Sequence, residues 1–191
     1  MPKLDLIAPD KLSPAVRDAI EAAPMPGLRD SPKCPDTRNA IERLLSEQSA
    51  ESSCLSSPAV AGLWLLAGEL VRSHTISQSL DSPTGSYWHG IMHRREGDFS
   101  NAKYWMRRAS GHPVIEELAS HIASVAGTAS LALLAPQSDQ ALAARRLTDM
   151  ESLPNSLIDL CELAVDSKPE LVSDLELICW WEWQLLFRHS M

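Results

Sequence analysis

An all-α fold, a bundle of about eight or nine helices, is what this 191-residue chain predicts. Two observations carry that expectation. One helix start recurs, a polar or capping residue followed by proline and then apolar residues at helical spacing, at Ser13-Pro14, Ser57-Pro58, His112-Pro113, Leu153-Pro154 and Lys168-Pro169. Proline suits the first helical position because its missing N–H had no intrahelical acceptor to lose and its fixed φ is already helical. The second observation is negative: no stretch keeps up the apolar-polar alternation of a half-buried strand.

Helical spacing places elements near 13–23, 36–49, 58–72, 86–96, 99–109, 113–126, 139–151, 154–165 and 169–188. Asp36 reads as the cap of the second. Residues 1–35 form an N-terminal helix and a proline-rich connector, Pro24-Met25-Pro26-Gly27 through Pro32 and Pro35, which cannot continue a helix. Residues 36–191 form a single helical domain, the first helix reading as a detached arm. The last helix carries Leu175, Ile178, Cys179, Trp180, Trp181, Trp183, Leu186 and Phe187, too much apolar surface to leave in water. It packs into the core or forms a homodimer interface.

The formal charge of −8 argues against a chain that coats nucleic acid through a basic field, so no nucleic-acid partner is expected. Cys34, Cys54, Cys161 and Cys179 are widely spaced and read as reduced, packed thiols. Met1 to Asp10 lacks the apolar core of a secretory signal. Leu118 to Gln137 is free of Asp, Glu, Lys and Arg, but its Ala, Ser and Gly content and His121 make a poor membrane span. A cytoplasmic protein without a membrane partner is the expectation.

Chemistry-bearing residues gather in 73–113. Residues 86–105 hold Tyr87, Trp88, Phe99, Tyr104 and Trp105, half of the chain's aromatic residues. Residues 86–113 carry Arg94, Arg95, Lys103, Arg107 and Arg108 against Glu96 and Asp98, a local charge of +3 that leaves −11 for the remainder. Guanidinium groups present planar forks of donors that match phosphate or carboxylate oxygens. Lys103 and Arg107, four apart, share a helix face and could converge on one oxyanion.

His89, His93 and Glu96 fall within about 60° of one another on a helical wheel. Tyr87, Trp88 and Ile91 project from the other side. Two imidazoles one turn apart can bind a metal or act as acid and base near neutrality, and a carboxylate can orient one of them. No H-E-x-x-H or repeated E-x-x-H pattern accompanies them, so no residue is assigned to a metal and no cofactor is indicated. Ser73-His74-Thr75-Ile76-Ser77-Gln78-Ser79 alternates hydroxyls that would line one side of an extended segment, although a polar loop whose hydroxyls cap neighbouring helices is the favoured reading, and Asp81 to Ser86 reads as a turn.

Two resemblances arise at these residues. Gly90, the turn Gly97-Asp98-Phe99, Ala102 and Ala109 resemble one tetratricopeptide-type hairpin at 88–109, with His89, His93 and Met106 standing where that family places bulky or aromatic residues. No second copy follows, so one hairpin and not a peptide-binding superhelix is implied. Ser73 to Gln78 with Pro83-Thr84-Gly85-Ser86-Tyr87-Trp88-His89-Gly90-Ile91-Met92-His93-Arg94-Arg95-Glu96-Gly97-Asp98-Phe99-Ser100-Asn101-Ala102-Lys103-Tyr104-Trp105 resembles a family of helical proteins to which no activity is attached. That resemblance implies no substrate or cofactor.

Three functions follow as expectations. The first is a domain binding a small phosphate- or carboxylate-bearing ligand through His74, Trp88, Arg94, Lys103, Tyr104 and Arg107. The second is a small enzyme with His89 or His93 as general base and Glu96 orienting it, or with a metal in the base's place. The third is a scaffold whose C-terminal helix pairs with a second copy. A P-loop, a Rossmann glycine pattern and a metalloprotease helix are all missing from the sequence, which removes those classes.

Overall fold

The computed structural model describes residues 4–29, 33–48, 55–126, 132–134 and 145–191. Among them are nine α-helices and no strand. They are α1 (Pro14–Glu21), α2 (Pro35–Gln48), α3 (Ser57–Leu66), α4 (Leu70–Ser77), α5 (Pro83–Glu96), α6 (Phe99–Arg108), α7 (Pro113–Val125), α8 (Leu153–Asp166) and α9 (Val172–Ser190). The expected helix near 139–151 lies largely outside the described residues, as do Cys54 and Pro32; Arg146–Thr148 is a short 3-10 turn.

Of the expected proline starts, Ser13-Pro14 is capped as read, the cap before Pro58 is Ser56 rather than Ser57, and a further start, Ser82-Pro83, opens α5. Ser13, Ser56 and Ser82 accept from the backbone N–H of Val16, Ala59 and Gly85 at 3.3, 3.2 and 3.0 Å, so each satisfies a donor that the helix cannot. His112 caps α7 through its ring, Nδ1 accepting from Val114 N–H at 3.3 Å. Pro169 opens a 3-10 turn, Pro169–Leu171, that runs into α9. No helix among the described residues is long and apolar enough to cross a membrane.

Several expected boundaries move. The helix expected over 58–72 breaks at Gly68, whose φ of 74° belongs to the left-handed region that a side chain disfavours, and the chain restarts as α4. Ser73 to Ser77 is therefore helical rather than extended; Ser73 and Ser77 point inward and Thr75 outward, where its hydroxyl bonds the Val71 carbonyl at 2.9 Å. The expected turn at 81–86 is the cap and first turn of α5. Asp36 sits inside the first turn of α2, which starts at Pro35.

The core is one cluster that runs from Ile7 to Phe187. Val16, Ala19 and Ile20 bury α1 against it, and the Leu6 and Asp5 backbone N–H groups both donate to Gln184 Oε1 at 3.0 Å, tying the N-terminal segment to α9. Trp180 and Trp183 stack at 5.1 Å, and Trp183 and Phe187 at 4.7 Å. Their indoles find polar partners inside the chain: Trp183 donates to the Gly62 carbonyl at 2.9 Å and Trp181 to Asp5 at 3.2 Å. Burial of Trp180, Trp181 and Trp183 within the chain removes the apolar surface that motivated the homodimer reading.

α5 is the central helix. Every residue from Gly85 to Arg95 is buried, with α3 and α4 on one side and α6 packed along it as the second arm of a hairpin. Gly97, at φ 84°, closes α5, and Asp98 caps α6 by accepting from Asn101 N–H at 3.1 Å. The tight α5–α6 turn brings Asn101 and Trp105 back over the C-terminal half of α5. At Gly62 of α3 an added Cβ would lie 2.7 Å from the Trp88 ring, so the absent side chain lets α3 and α5 approach.

Candidate functional site

His89 and His93 stand one turn apart on α5, and α4 brings His74 against both. The His89 and His93 rings stack at 4.7 Å, while His74 meets them edge-on at 4.8 and 5.3 Å. One ring nitrogen from each lies within 4.8 Å of the other two. On its opposite face His89 stacks on Trp105 of α6, centroids 3.9 Å apart. The imidazole is thus held flat between an indole and a second imidazole.

Hydrogen bonding divides the three. His93 Nδ1 faces Glu96 Oε2 at 3.1 Å, and its Nε2 faces the Asn101 side-chain amide at 3.1 Å. His89 is 2% exposed, and neither ring nitrogen has a hydrogen-bond partner among the described residues. Leaving a buried polar atom unpaired costs about 1–3 kcal/mol, so such atoms are rare and ask for an explanation. Burial, followed by the neighbouring His93 and His74, pushes the His89 pKa down to about 4. Burial also lowers that of His93, although Glu96 pulls the other way. At neutral pH His89 and His93 are neutral imidazoles with lone pairs to offer.

The cationic residues expected beside them are dispersed. Arg94 turns to the opposite side of α5 and forms a two-pronged pair with Glu182 of α9, at 2.5 and 3.4 Å, fully buried. Lys103 pairs with Asp159 of α8. Arg107 lies over the exposed Tyr104 ring at 6.0 Å and lines a groove of about 590 Å³ with His112, Glu116 and Asp149. The three histidines are not among the walls of that groove. Lys103 and Arg107 therefore do not converge. Trp88 is fully buried and donates to Ser190 Oγ at 3.0 Å, a core role.

The structure brings together His74, His89, His93 and Glu96 and disperses Trp88, Arg94, Lys103, Tyr104 and Arg107. It adds Trp105 and Asn101, to which the sequence reading assigned no role in a site. Their spacing of four on α6 was the available signal, because it puts them on one face that a tight hairpin turn folds onto α5. Compared with known proteins, the chain matches no family model, no curated protein and no solved structure.

Proposed function

We propose that this protein binds a divalent transition-metal ion on His74, His89 and His93 and uses it to activate water, the metal form of a small helical enzyme. The observation that carries the reading is His89, whose two buried ring nitrogens have no hydrogen-bond partner among the described residues. A metal ion would give one of them a bond stronger than any hydrogen bond it lacks. Neutral imidazole is the form that ligates, and the depressed His89 pKa keeps it neutral well below pH 7.

The geometry is near what an ion needs. Zinc–nitrogen bonds of about 2.0–2.1 Å at tetrahedral angles place ligand nitrogens roughly 3.3 Å apart. The 4.8 Å spread of the ring nitrogens must then close by about 1.5 Å, within the reach of small side-chain rotations. Three imidazoles would leave a fourth position open for water and the ion its full charge, which would lower the pKa of that water toward about 7. Glu96 on Nδ1 of His93 supplies the outer carboxylate that fixes a ligating imidazole, with Nε2 turned to the ion and the Asn101 amide displaced.

Elemental analysis of untagged protein, followed by titration with Zn²⁺ and Co²⁺, tests this. One equivalent is expected, with the visible absorption of low-coordinate Co²⁺, and His89→Phe is expected to remove it. Wild-type protein that takes up neither ion would sink the reading.

A second reading, a small phosphate- or carboxylate-bearing ligand, is favoured by the groove beside Arg107. Arg94 and Lys103 are committed to Glu182 and Asp159, so Arg107 is the expected cation that carries it. Thermal stabilisation by phosphorylated or carboxylated metabolites, lost in Arg107→Ala, is its expected signature.

A further inference from the structure

Away from the histidines, on the Arg94 side of α5, two thiols meet. Cys161 of α8 and Cys179 of α9 lie 3.8 Å apart, sulfur to sulfur. Cys161 is fully buried and Cys179 partly exposed. A disulfide needs the sulfurs about 1.8 Å closer, given an S–S bond near 2.05 Å. Two side chains on helices already packed together can cover that gap by rotation.

Their surroundings are not plain hydrocarbon. Cys179 opens onto a hollow of about 20 Å³ walled by Leu65, Ile91, Arg94, Arg95 and Trp183, enough for one water-sized molecule. The Arg94 guanidinium, beside both sulfurs, favours their ionised forms. The thiol-to-thiol hydrogen bond draws the Cys161 pKa down, because one S–H can donate to a neighbouring thiolate. The same hydrogen bond, followed by burial, pushes the Cys179 thiol well above its ordinary value, so Cys161 is the sulfur that ionises and Cys179, the one facing the hollow, holds the shared proton.

We propose that Cys161 and Cys179 are a peroxide-reactive dithiol, in which a small hydroperoxide entering the hollow oxidises Cys179 and Cys161 resolves it to an α8–α9 disulfide. In the first step Cys179 hands its proton to the Cys161 thiolate as its sulfur attacks one oxygen of hydrogen peroxide. The S–O bond forms, the O–O bond breaks, and hydroxide leaves and takes a proton to become water. In the second step Cys161 gives up its proton and attacks the Cys179 sulfur, forming S–S and releasing the sulfenic oxygen as a second water. Two thiols are oxidised to one disulfide and the peroxide is reduced to two waters. The pair is independent of the histidine site and stands whether or not that site binds a metal.

The test uses the full chain, treated with stoichiometric hydrogen peroxide, quenched by alkylation and digested without reduction. A cross-linked peptide joining Cys161 and Cys179 is expected, with an intact mass short by two hydrogens, restored by dithiothreitol. In Cys161→Ser, a sulfenic acid trapped by dimedone is expected at Cys179. Cys161 and Cys179 both remaining alkylatable while Cys34 oxidises would overturn the proposal. So would separate oxidation of the two sulfurs without a cross-link, and so would trapping at Cys161 in Cys179→Ser but none at Cys179 in Cys161→Ser.

Discussion

The two sides of α5 bury polar side chains by opposite rules. Toward α9, Arg94 and Glu182 enter the core as full charges and satisfy each other, with two guanidinium nitrogens on two carboxylate oxygens. Toward α4 and α6, His89 enters as a neutral ring with no partner for either nitrogen among the described residues. Both are nearly inaccessible, at 2% exposure each. The paired charge explains itself as architecture, a link between α5 and α9 across 88 residues of sequence. The unpaired imidazole does not, since the fold gains nothing from its nitrogens that a phenyl ring would not supply. That contrast, not the mere gathering of histidines, is what supports the site proposed on the α4–α6 side.

The largest expected effect comes from breaking the satisfied side. Glu182→Ala strands the Arg94 cation in the core and is expected to cost about 3–5 kcal/mol, read by urea unfolding. Replacing both with leucine should recover most of that loss, because removing a pair also removes its desolvation. If Glu182→Ala proves nearly neutral, the two sides do not differ as described.

Acid should act on the other side. The His89 pKa falls from 6.5 when solvated to about 4 when folded, and burial lowers that of His112 to about 4 as well. Above pH 6.5 both states hold the neutral ring and the stability is whole. Between 6.5 and 4 the unfolded chain takes up a proton that the folded chain refuses, so stability falls as the pH drops through that window. The loss traceable to His89 in metal-free protein is on the order of 3 kcal/mol, from about 1.4 kcal/mol per pKa unit. Unfolding free energies of wild type and His89→Phe, compared from pH 7.5 to 4.5, isolate it, and parallel curves would falsify the assignment.

At neutral pH the same substitution should have the opposite sign to Glu182→Ala. His89→Phe keeps a flat ring on Trp105 and deletes two unpaired nitrogens, so metal-free protein should gain about 1–2 kcal/mol. The variant would be more stable and unable to bind Zn²⁺, the trade expected where a site keeps unsatisfied groups for a ligand. A loss of several kcal/mol on thermal or urea unfolding would show instead that the imidazole is structural.

Local signals in the sequence reached as far as local physics reaches. Serine-proline starts, the His89–His93 spacing and the Gly97 turn each act within a few residues, and the helices of α1, α5, α6 and α7 follow from them. Gly68 was legible too, but the apolar residues on both sides hid a backbone that leaves the right-handed region for one residue. The alternating hydroxyls of 73–79 suggested an extended segment or a capping loop because their period is two; Thr75 and Ser77 in α4 and Ser79 just after it bond helix carbonyls without a strand, while the buried Ser73 hydroxyl has no partner among the described residues. What could not be read was pairing across the chain. Arg94 appeared available for an anion because Glu182 is far away in sequence, and Lys103 because Asp159 is.

The Lys103–Asp159 pair gives the smallest expected effect and sets the scale for the others. Its side chains are 31% and 56% exposed, so water screens the attraction and both chains must be ordered to meet. Exposed pairs of this kind are worth about 0.2–1 kcal/mol. Lys103→Ala should therefore stay within that range on urea unfolding, and the difference should shrink in high salt. Arg94–Glu182, shielded from ions, should respond far less to salt. A Lys103→Ala loss as large as that of Glu182→Ala would mean that α6 depends on α8 for its position, and that the platform under His89 is held by charge rather than by packing on α5.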